Sequence, residues 1–211
     1  MPLIADYFGI TIDELLNHKL NSYTCKERFV HLMYHSGVIK FSDNNKYTIN
    51  TENFTTNAQI SKIGECFADF IRENKLSFDV IMGHAYHGIA FSASTANALY
   101  QKYNQTVSYC FDRKMPDSRG RNICGYIPQK GDKIIVIDDM IGSGKSLERV
   151  LDYLLFEFGV EIVAVISIVD MQTLRDGNKS GSAYIQQKYN TKIYTLVTDE
   201  DIRVAKARYV L

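Results

Sequence analysis

The chain has 211 residues, of which 45% are hydrophobic and 23% are charged. These proportions are ordinary for a globular protein, and a chain of this size buries about 70% of the surface that its extended form exposes. Lysine plus arginine and aspartate plus glutamate both number 24, so the formal net charge is zero. Proteins that bind nucleic acid along a basic face carry a surplus of positive charge that this chain lacks. We therefore expect no nucleic-acid partner, and any anion site must be local.

Neither a membrane span nor a signal peptide is predicted. No apolar run approaches the ~20 residues that cross a bilayer, and the first residues, Met-Pro-Leu-Ile-Ala-Asp, lack a basic start followed by a long apolar stretch. The cysteines stand alone in apolar segments without a CxxC pair, which favours reduced thiols over disulfides or zinc ligands. They are Cys25, Cys66, Cys110 and Cys124. We expect a cytoplasmic protein without membrane partners.

The predicted elements begin with a helical N-terminal region. Residues 11–36 have a helical pattern, and residues 46–50 form a short predicted strand. We assign residues 1–54 to an N-terminal helical, or hood, region and residues 55–211 to an α/β core. Both belong to a single predicted domain that spans residues 1–211, because no linker or repeat interrupts the chain.

From about residue 56 onward, helices alternate with short strands. Residues 133–137 are almost entirely apolar, as in a strand buried on both faces of a parallel sheet. Strands that alternate with helices predict right-handed crossovers and an α/β fold, with a central, mostly parallel sheet flanked by helices. The predicted helices cover about 56–71, 89–103, 147–158 and 181–190, and the predicted strands cover 78–82, 106–111, 133–137, 162–169 and 193–197.

Two adjacent carboxylates follow the central strand and precede a glycine-rich turn. Asp138 and Asp139 come directly after residues 133–137, and the next residues read Met-Ile-Gly-Ser-Gly-Lys-Ser. In open α/β sheets ligands bind at the carboxyl ends of the strands, and a turn that opens a helix directs backbone N–H groups at an anion. The carboxylates can accept hydrogen bonds from sugar hydroxyls and hold a hydrated Mg²⁺. The segment therefore predicts a phosphate cradle beside a sugar-binding carboxylate pair.

Other interpretations of these residues are less consistent with the sequence. A glycine-serine-glycine turn alone is typical of any tight strand-to-helix connection. Residues 144–146, Gly-Lys-Ser, match the end of a Walker A loop, but that pattern requires glycine where Asp139 stands. Desolvating two carboxylates at a strand end is costly without a ligand or partner. His84 and His87 lack neighbouring carboxylates in the sequence, so structural or phosphate-facing roles are favoured over a metal site.

Residues 134–146 resemble the phosphoribosyl-pyrophosphate binding motif of type I phosphoribosyltransferases, in which hydrophobic residues precede Asp-Asp and a short Gly/Ser/Thr loop. Further segments are similar to the orotate phosphoribosyltransferase branch. Residues 83–89, Gly-His-Ala-Tyr-His-Gly-Ile, are similar to its Gly-x-Ala-Tyr-Lys-Gly-Ile turn. Residues 111–114, Phe-Asp-Arg-Lys, are similar to the Phe-x-Arg-Lys that begins its mobile loop, and residues 36–40 resemble its SGxLK region. The likeness is collinear from about residue 25 to residue 202.

The resemblance implies the type I phosphoribosyltransferase fold and an enzyme of pyrimidine nucleotide synthesis. Such an enzyme transfers phosphoribosyl from phosphoribosyl pyrophosphate to orotate and releases pyrophosphate. The implied catalytic residues are Asp138 and Asp139, which bind ribose hydroxyls and hold Mg²⁺ indirectly, and Arg113 and Lys114, which neutralise pyrophosphate. The implied 5′-phosphate loop consists of Gly142, Ser143, Gly144, Lys145 and Ser146. Weaker candidates on the pyrophosphate or base side are Lys40, Tyr86, His87, Arg119 and Arg149.

The mobile loop of the family is donated across a dimer interface, so the resemblance also implies a homodimer with a shared lid. The corresponding lid here is the polar stretch 112–122, which carries four basic residues around Gly120. This chain departs from the family pattern on the pyrophosphate side. His87 replaces a lysine of the turn, and Asp117 and Arg119 replace a lysine and a histidine of the lid.

The base side of the expected site departs from the family as well. Glu148 aligns with a base-side arginine, and its neighbour Arg149 is rotated by about 100° on a helix. Thr48 and Ile49 align with paired phenylalanines. Two alternatives therefore stay open. One is a phosphoribosyltransferase for another base, such as a purine, and the other is a regulatory relative that binds phosphoribosyl pyrophosphate or a nucleotide without turnover.

Overall fold

The computed structural model describes residues 25–42, 46–175 and 179–209. The helices are α1 (Cys25–His35), α2 (Asn57–Glu73), α3 (His87–Tyr103), α4 (Lys145–Tyr153), α5 (Gly181–Tyr189) and α6 (Asp199–Tyr209). The strands are β1 (Ile39–Phe41), β2 (Tyr47–Ile49), β3 (Val80–Gly83), β4 (Ser108–Asp112), β5 (Ile123–Gly125), β6 (Lys133–Ile141), β7 (Glu161–Asp170), β8 (Leu174–Arg175), β9 (Lys179–Ser180) and β10 (Lys192–Val197). None of the helices in these ranges combines the length and apolar composition that crossing a bilayer requires.

Six strands form the central sheet, in the order β10-β7-β6-β3-β4-β5. All neighbouring strands are parallel except β4 and β5, which pair antiparallel at one edge. The prediction of an α/β fold with a mostly parallel, helix-flanked sheet is confirmed. The edge strand β5 was not predicted, because its three residues are too few to show a period. Two further antiparallel pairs, β1 with β2 and β8 with β9, stand apart from this sheet.

Alternate residues of the inner strands supply two separate hydrophobic layers. Ile81, Ile135 and Ile137 face one layer, where α1, α2, α3 and α6 contribute their apolar side chains. Met82 and Val136 face the other layer, which is filled mainly by α4 and α5. Because strand side chains alternate between the two faces, a strand that is apolar throughout is the sequence signature of a sheet covered on both sides. The prediction that residues 133–137 form the central strand rests on this property.

A capping box stabilises the start of α2. At the start of α2, the Thr56 hydroxyl accepts the Gln59 N–H, and the Gln59 side chain accepts the Thr56 N–H, which forms a capping box.

The predicted helix 11–36 is described from Cys25 as α1, and its residues 11–24 lie outside the described residues. The predicted helix 147–158 is α4 followed by a π-helical turn, Leu154–Phe158.

Three of the four cysteines have described side chains, and none of these three belongs to a disulfide. Cys66 and Cys110 are buried and Cys124 is half-buried, while the side chain of Cys25 lies outside the description. Burial raises the pKa of Cys110 to about 12, with the nearby carboxylates of Asp112 and Asp132 adding to the effect. Because the thiolate is the reactive form, this thiol is inert at neutral pH.

The central strand is longer than predicted, which corrects the placement of the two aspartates. Asp138 and Asp139 lie within β6, which continues to Ile141, rather than after the strand. The physical reason is the length of β7, because Ile141 still pairs with Asp170. On the other side of β6 the ladder stops earlier, where Gly83 at the end of β3 pairs with Ile137. Asp138 and Asp139 therefore lie beyond the end of β3 but still run alongside β7.

Candidate functional site

The predicted phosphate loop, residues 142–146, follows the end of β6 and includes the first two residues of α4. Gly144 precedes the helix with a φ of +74°, a left-handed conformation that favours glycine. Among the described residues, no side chain caps the first turn of α4. Its backbone N–H groups and the positive end of the helix dipole are thus available to an anion. Lys145 and Ser146 are both exposed at this end of the helix.

The two aspartates differ in burial and in partners. Asp138 is 8% exposed, and one of its oxygens accepts the Asp139 N–H at 2.9 Å. Burial raises the pKa of Asp138 to about 8; the charge of His84 opposes this shift and that of Asp139 adds to it. Asp139 is half-buried, accepts the Thr51 hydroxyl at 2.6 Å, and lies 3.2 Å from Nδ1 of His87. Asp139 therefore joins the N-terminal region to the turn that contains His87.

The turn 84–88 packs directly against the end of β6. The His84 N–H donates to the Ile137 carbonyl at 2.9 Å, and the Ala85–Tyr86 peptide bond is cis. A Cβ at Gly88 would lie 2.4 Å from the same Ile137 oxygen, so only glycine allows this approach. The close packing brings His87 within reach of Asp139, while Tyr86 remains exposed.

His84 connects this turn to both β4 and the phosphate loop. Its Nδ1 lies 3.2 Å from each carboxylate oxygen of Asp112, and its Nε2 lies 2.6 Å from Oγ of Ser146. Asp112 also accepts the Ala85 N–H at 2.6 Å. Burial lowers the pKa of His84, but the hydrogen bond to Asp112 and the charges of Asp138 and Asp112 outweigh it, so the pKa lies above its ordinary value. His84 therefore contacts Ser146 of the predicted phosphate loop, which agrees with the phosphate-facing role among those predicted for it.

The basic residues at the base of the lid share a small pocket with Arg149. Arg113, Lys114 and Arg149 line this pocket of about 230 Å³, together with Asp112, Pro116, Asn122, Val150 and Tyr153. Lys114 also places Nζ 5.3 Å from the centre of the Tyr86 ring. Three of the predicted cations thus meet beside the turn, and Arg149 faces different neighbours from Glu148, which contacts Arg175.

Asp117, which stands at a lysine position of the family lid, organises the lid turn. Its carboxylate accepts the backbone N–H groups of Arg119 and Arg121 and the side-chain Nε–H of Arg121, at 2.8–3.0 Å. These hydrogen bonds lower the pKa of Asp117 to about 2, and the one from the Arg121 backbone N–H has the largest effect. Arg119 is exposed at this turn, and Lys40 is exposed on β1 opposite Thr48. Among the residues that the structure describes, no hydrogen bond or ion pair joins Arg119 or Lys40 to Asp138 or Asp139.

Glu148, at the position of the family's base-side arginine, belongs to an ion-pair cluster between α4, α5 and β8. It accepts from Arg175 at 2.5 Å, from Tyr184 at 2.9 Å and from Lys188 at 3.0 Å. The hydrogen bond from Arg175, followed by that from Lys188, lowers the pKa of Glu148 to about 2. Arg175 also stacks on Tyr184, 3.9 Å from the ring centre, and donates to the Ser143 carbonyl at 3.5 Å. Glu148 therefore braces the phosphate loop through Arg175.

Comparison with protein-family models identifies the family of this site. Residues 50–198, well over half of the chain, match the phosphoribosyl transferase domain. The chain belongs to the phosphoribosyltransferase family. Its curated relatives include the orotate phosphoribosyltransferase of Clostridium botulinum (strain Eklund 17B / Type B), which is 30% identical over 187 residues, 84% of either chain. The enzyme of the same name from Agathobacter rectalis is 31% identical over 189 residues, again 84% of either chain. The resemblance to the orotate phosphoribosyltransferase branch is confirmed.

Solved phosphoribosyltransferase structures share the fold. The orotate phosphoribosyltransferase of Francisella tularensis superposes with a TM-score of 0.74 at 24% identity, over 86% of this chain and 90% of that chain. A Mycobacterium tuberculosis orotate phosphoribosyltransferase in complex with phosphoribosyl pyrophosphate gives a TM-score of 0.63 at 15% identity, over 85% of this chain and 99% of that one. Both likenesses support the type I phosphoribosyltransferase architecture.

Several residues of this phosphoribosyltransferase site were not selected from the sequence. Thr51 and Arg175 contact the predicted site residues Asp139 and Ser143, and Asp112 contacts His84 of the turn, but no sequence pattern signals any of these three pairings. A signal exists for the pair of His84 and Asp112, since each stands at the carboxyl end of a predicted strand. Only the strand order β6-β3-β4 reveals that these ends are adjacent.

Proposed function

We propose that this phosphoribosyltransferase transfers the phosphoribosyl group of phosphoribosyl pyrophosphate to orotate, giving orotidine 5′-phosphate and pyrophosphate. The observation that carries the proposal is the meeting of three segments at the end of β6: the carboxylate pair, the turn with His87, and the phosphate loop at the start of α4. The curated relatives named above, which are orotate phosphoribosyltransferases, support orotate as the base.

In this proposal the protein acts mainly by positioning and electrostatics. The loop 142–146 holds the 5′-phosphate with its backbone N–H groups and hydroxyls. Asp138 and Asp139 accept hydrogen bonds from the ribose hydroxyls, and Thr51 and His87 hold the Asp139 carboxylate in place. Negative charge beside the ribose stabilises the positive charge that develops on the sugar as the bond to pyrophosphate breaks.

The pyrophosphate group is assigned to the cationic side of the site. Arg113, Lys114 and Arg149 line one pocket, and Lys114 lies over Tyr86 of the turn. Their charges would offset the negative charge that accumulates on pyrophosphate as it leaves. Lys145, Lys40 and Arg119 are exposed and remain candidates for the same polyanion when the lid closes.

The residues present fit a magnesium ion that is carried mainly by the substrate. Within the described ranges, no group of three or more His, Cys, Asp or Glu side chains could hold a metal ion. Mg²⁺ binds through one or two carboxylates, substrate phosphate oxygens and its own waters, so a pair such as Asp138 and Asp139 is a suitable donor set. Bound there, Mg²⁺ would neutralise part of the pyrophosphate charge.

A panel of bases tests the proposal. We expect pyrophosphate release, with formation of orotidine 5′-phosphate, when the protein is incubated with Mg²⁺, phosphoribosyl pyrophosphate and orotate. The double variant Asp138→Asn, Asp139→Asn should lose activity by at least about a hundredfold while remaining folded. Asp152→Asn, an exposed carboxylate in the α4–α5 cluster, is the matched control and should keep normal turnover.

Each other result points to a specific alternative. Turnover with hypoxanthine, guanine or adenine but not with orotate would assign the protein to another base. Binding of phosphoribosyl pyrophosphate without turnover of any base would identify a regulatory relative. Unchanged activity in the double variant would contradict the assignment of the carboxylate pair.

A further inference from the structure

We propose that His84 is a positioning residue that sets the direction of the Ser146 hydroxyl, so that Ser146 donates its hydrogen bond to the 5′-phosphate. The inference rests on the proposed function only in taking the loop 142–146 as the phosphate site. His84 would act through Ser146 rather than by touching the substrate. In the motif of the family turn this position is the variable one, so the role concerns this chain's own residue.

The geometry of His84 leaves both ring nitrogens committed. The residue is 2% exposed, and its ring lies between the buried Asp112 carboxylate and the exposed Ser146 hydroxyl. The distances are 3.2 Å on the Nδ1 side and 2.6 Å on the Nε2 side. Because Asp112 also accepts the Ala85 N–H, the carboxylate is anchored to the same turn. The imidazole is therefore a rigid bridge from the end of β4 to the first turn of α4.

The chemistry of these partners fixes which way the hydrogen bonds run. An ionised carboxylate only accepts, so Nδ1 of His84 carries a hydrogen and donates it to Asp112. If Nε2 accepted from Ser146, the hydroxyl would present only lone pairs to a phosphate at the loop. If Nε2 donates, the Ser146 hydrogen is released toward the anion. A bound phosphate therefore selects the arrangement in which His84 donates on both sides.

The charged groups around His84 favour the same arrangement. The ring is hydrogen-bonded to Asp112 on β4, Asp138 on β6 adds negative charge when it is ionised, and Lys114 at the start of the lid contributes positive charge. Burial acts against the charged ring, but the net effect of these groups raises the pKa of His84 above its ordinary value. The hydrogen bond to Asp112 thus supports a ring that donates to Ser146.

Two amide variants separate the two halves of the bridge. Glutamine can place its amide nitrogen near the position of Nε2, whereas asparagine can place its amide nitrogen near Nδ1. His84→Gln should therefore keep the donor to Ser146, and His84→Asn should keep the contact with Asp112 but lose Ser146. We expect His84→Asn to weaken binding of ribose 5-phosphate by about tenfold or more, and His84→Gln to retain most of it.

Pyrophosphate is the matched ligand, because it lacks the 5′-phosphate. Measured by titration calorimetry, its affinity should be equal in His84→Asn and in the unsubstituted protein. If the role of His84 were only to hold the turn through Asp112, the order of the two variants would reverse, and pyrophosphate binding would fall in His84→Gln. Either of these results would overturn the inference.

A double-variant cycle tests whether His84 acts through Ser146. Ser146→Ala changes an exposed side chain and should weaken ribose 5-phosphate binding by a factor similar to that of His84→Asn. The double variant should bind no more weakly than Ser146→Ala alone. Independent, multiplying losses would overturn the inference, and so would normal binding by Ser146→Ala, even if the His84 variants failed to fold.

The same measurements keep this inference distinct from the proposed function. Ribose 5-phosphate binding that follows the cycle, in a protein that transfers nothing to orotate, would refute the proposed reaction and support the role of His84. Transfer to orotate with no coupling between positions 84 and 146 would support the reaction and refute the role of His84. Failure of the unsubstituted protein to bind ribose 5-phosphate at all would overturn the phosphate-site assignment on which both depend.

Discussion

Asp138 illustrates how a single side chain can serve a site at the expense of stability. Its carboxyl group is buried beside a second aspartate, and its folded-state pKa is raised to about 8 from an ordinary value of 3.8. Between these values the folded protein binds more protons than the unfolded chain, so stability declines as pH rises through this window. Desolvation is the main cause, which means that removing the titrating group should relieve the loss.

We expect Asp138→Asn to stabilise the fold more at pH 8 than at pH 5. One pKa unit corresponds to about 1.4 kcal/mol. After allowing for relaxation around the site, we expect the free energy of unfolding to rise by roughly 1–3 kcal/mol at pH 8. Urea unfolding at the two pH values measures it. Asp139→Asn, at the less buried neighbouring position, is the matched variant. A gain from Asp138→Asn that is independent of pH would argue against burial as the cause.

At the scale of elements, the cluster around Glu148 holds α4 against α5 and β8. Arg175, Lys188 and Tyr184 all donate to this carboxylate. The folded-state pKa of Glu148 is lowered to about 2 from 4.5, so its contribution to stability is present above the ordinary value and is lost as pH falls toward 2. Glu148 therefore joins α4 to α5 and β8.

Glu148→Gln should therefore destabilise the protein by about 1 kcal/mol at pH 7, because the ion pair of Arg175 with Glu148 would be lost in a largely buried place. The difference from the unsubstituted protein should shrink as pH is lowered to about 3. Denaturant unfolding at several pH values measures both effects. Asp152→Asn shares Lys188 but is more exposed, and its effect should stay within about 0.5 kcal/mol. A constant difference across pH would contradict an electrostatic role for Glu148.

At the scale of the whole molecule, the homodimer with a shared lid that the family resemblance implies leads to a mixing experiment. Asp139→Asn damages the carboxylate pair, and Lys114→Ala damages the lid. If each lid completes the partner's site, a mixed dimer contains one site with both parts intact. A mixture of the two inactive variants should then recover about a quarter of normal activity after subunit exchange.

The matched control is a mixture of Asp138→Asn with Asp139→Asn, which alters the same part of every site and should stay inactive. Absence of recovery in the first mixture, with exchange verified by mass-tagged subunits, would indicate that each lid serves its own chain. In the structure, Lys114 lies beside Tyr86 of the same chain. Absence of recovery would therefore mean that the active enzyme uses this arrangement, with each lid over the site of its own chain.

Local pattern was sufficient to predict most of the fold and to propose the centre of the site. The apolar strand 133–137, the helical spacing around it and the Asp-Asp-to-Ser146 segment predicted a parallel sheet with an anion loop, because periodicity and turn chemistry are local properties. The sequence by itself also determined that Glu148 and Asp117 depart from the family pattern. It did not indicate what those residues do instead.

Tertiary structure decided the partners of the charged side chains. The order β6-β3-β4 brings His84 beside Asp112, and the packing of β8 and α5 on α4 brings Arg175 to Glu148. These contacts join residues far apart in the chain, and no periodicity encodes them. Strand order depends on how two hydrophobic layers are filled at once, which is a property of the whole molecule. The fold class and the family resemblance were therefore readable from sequence, whereas the hydrogen bonds around the candidate site are decided only by the packed fold.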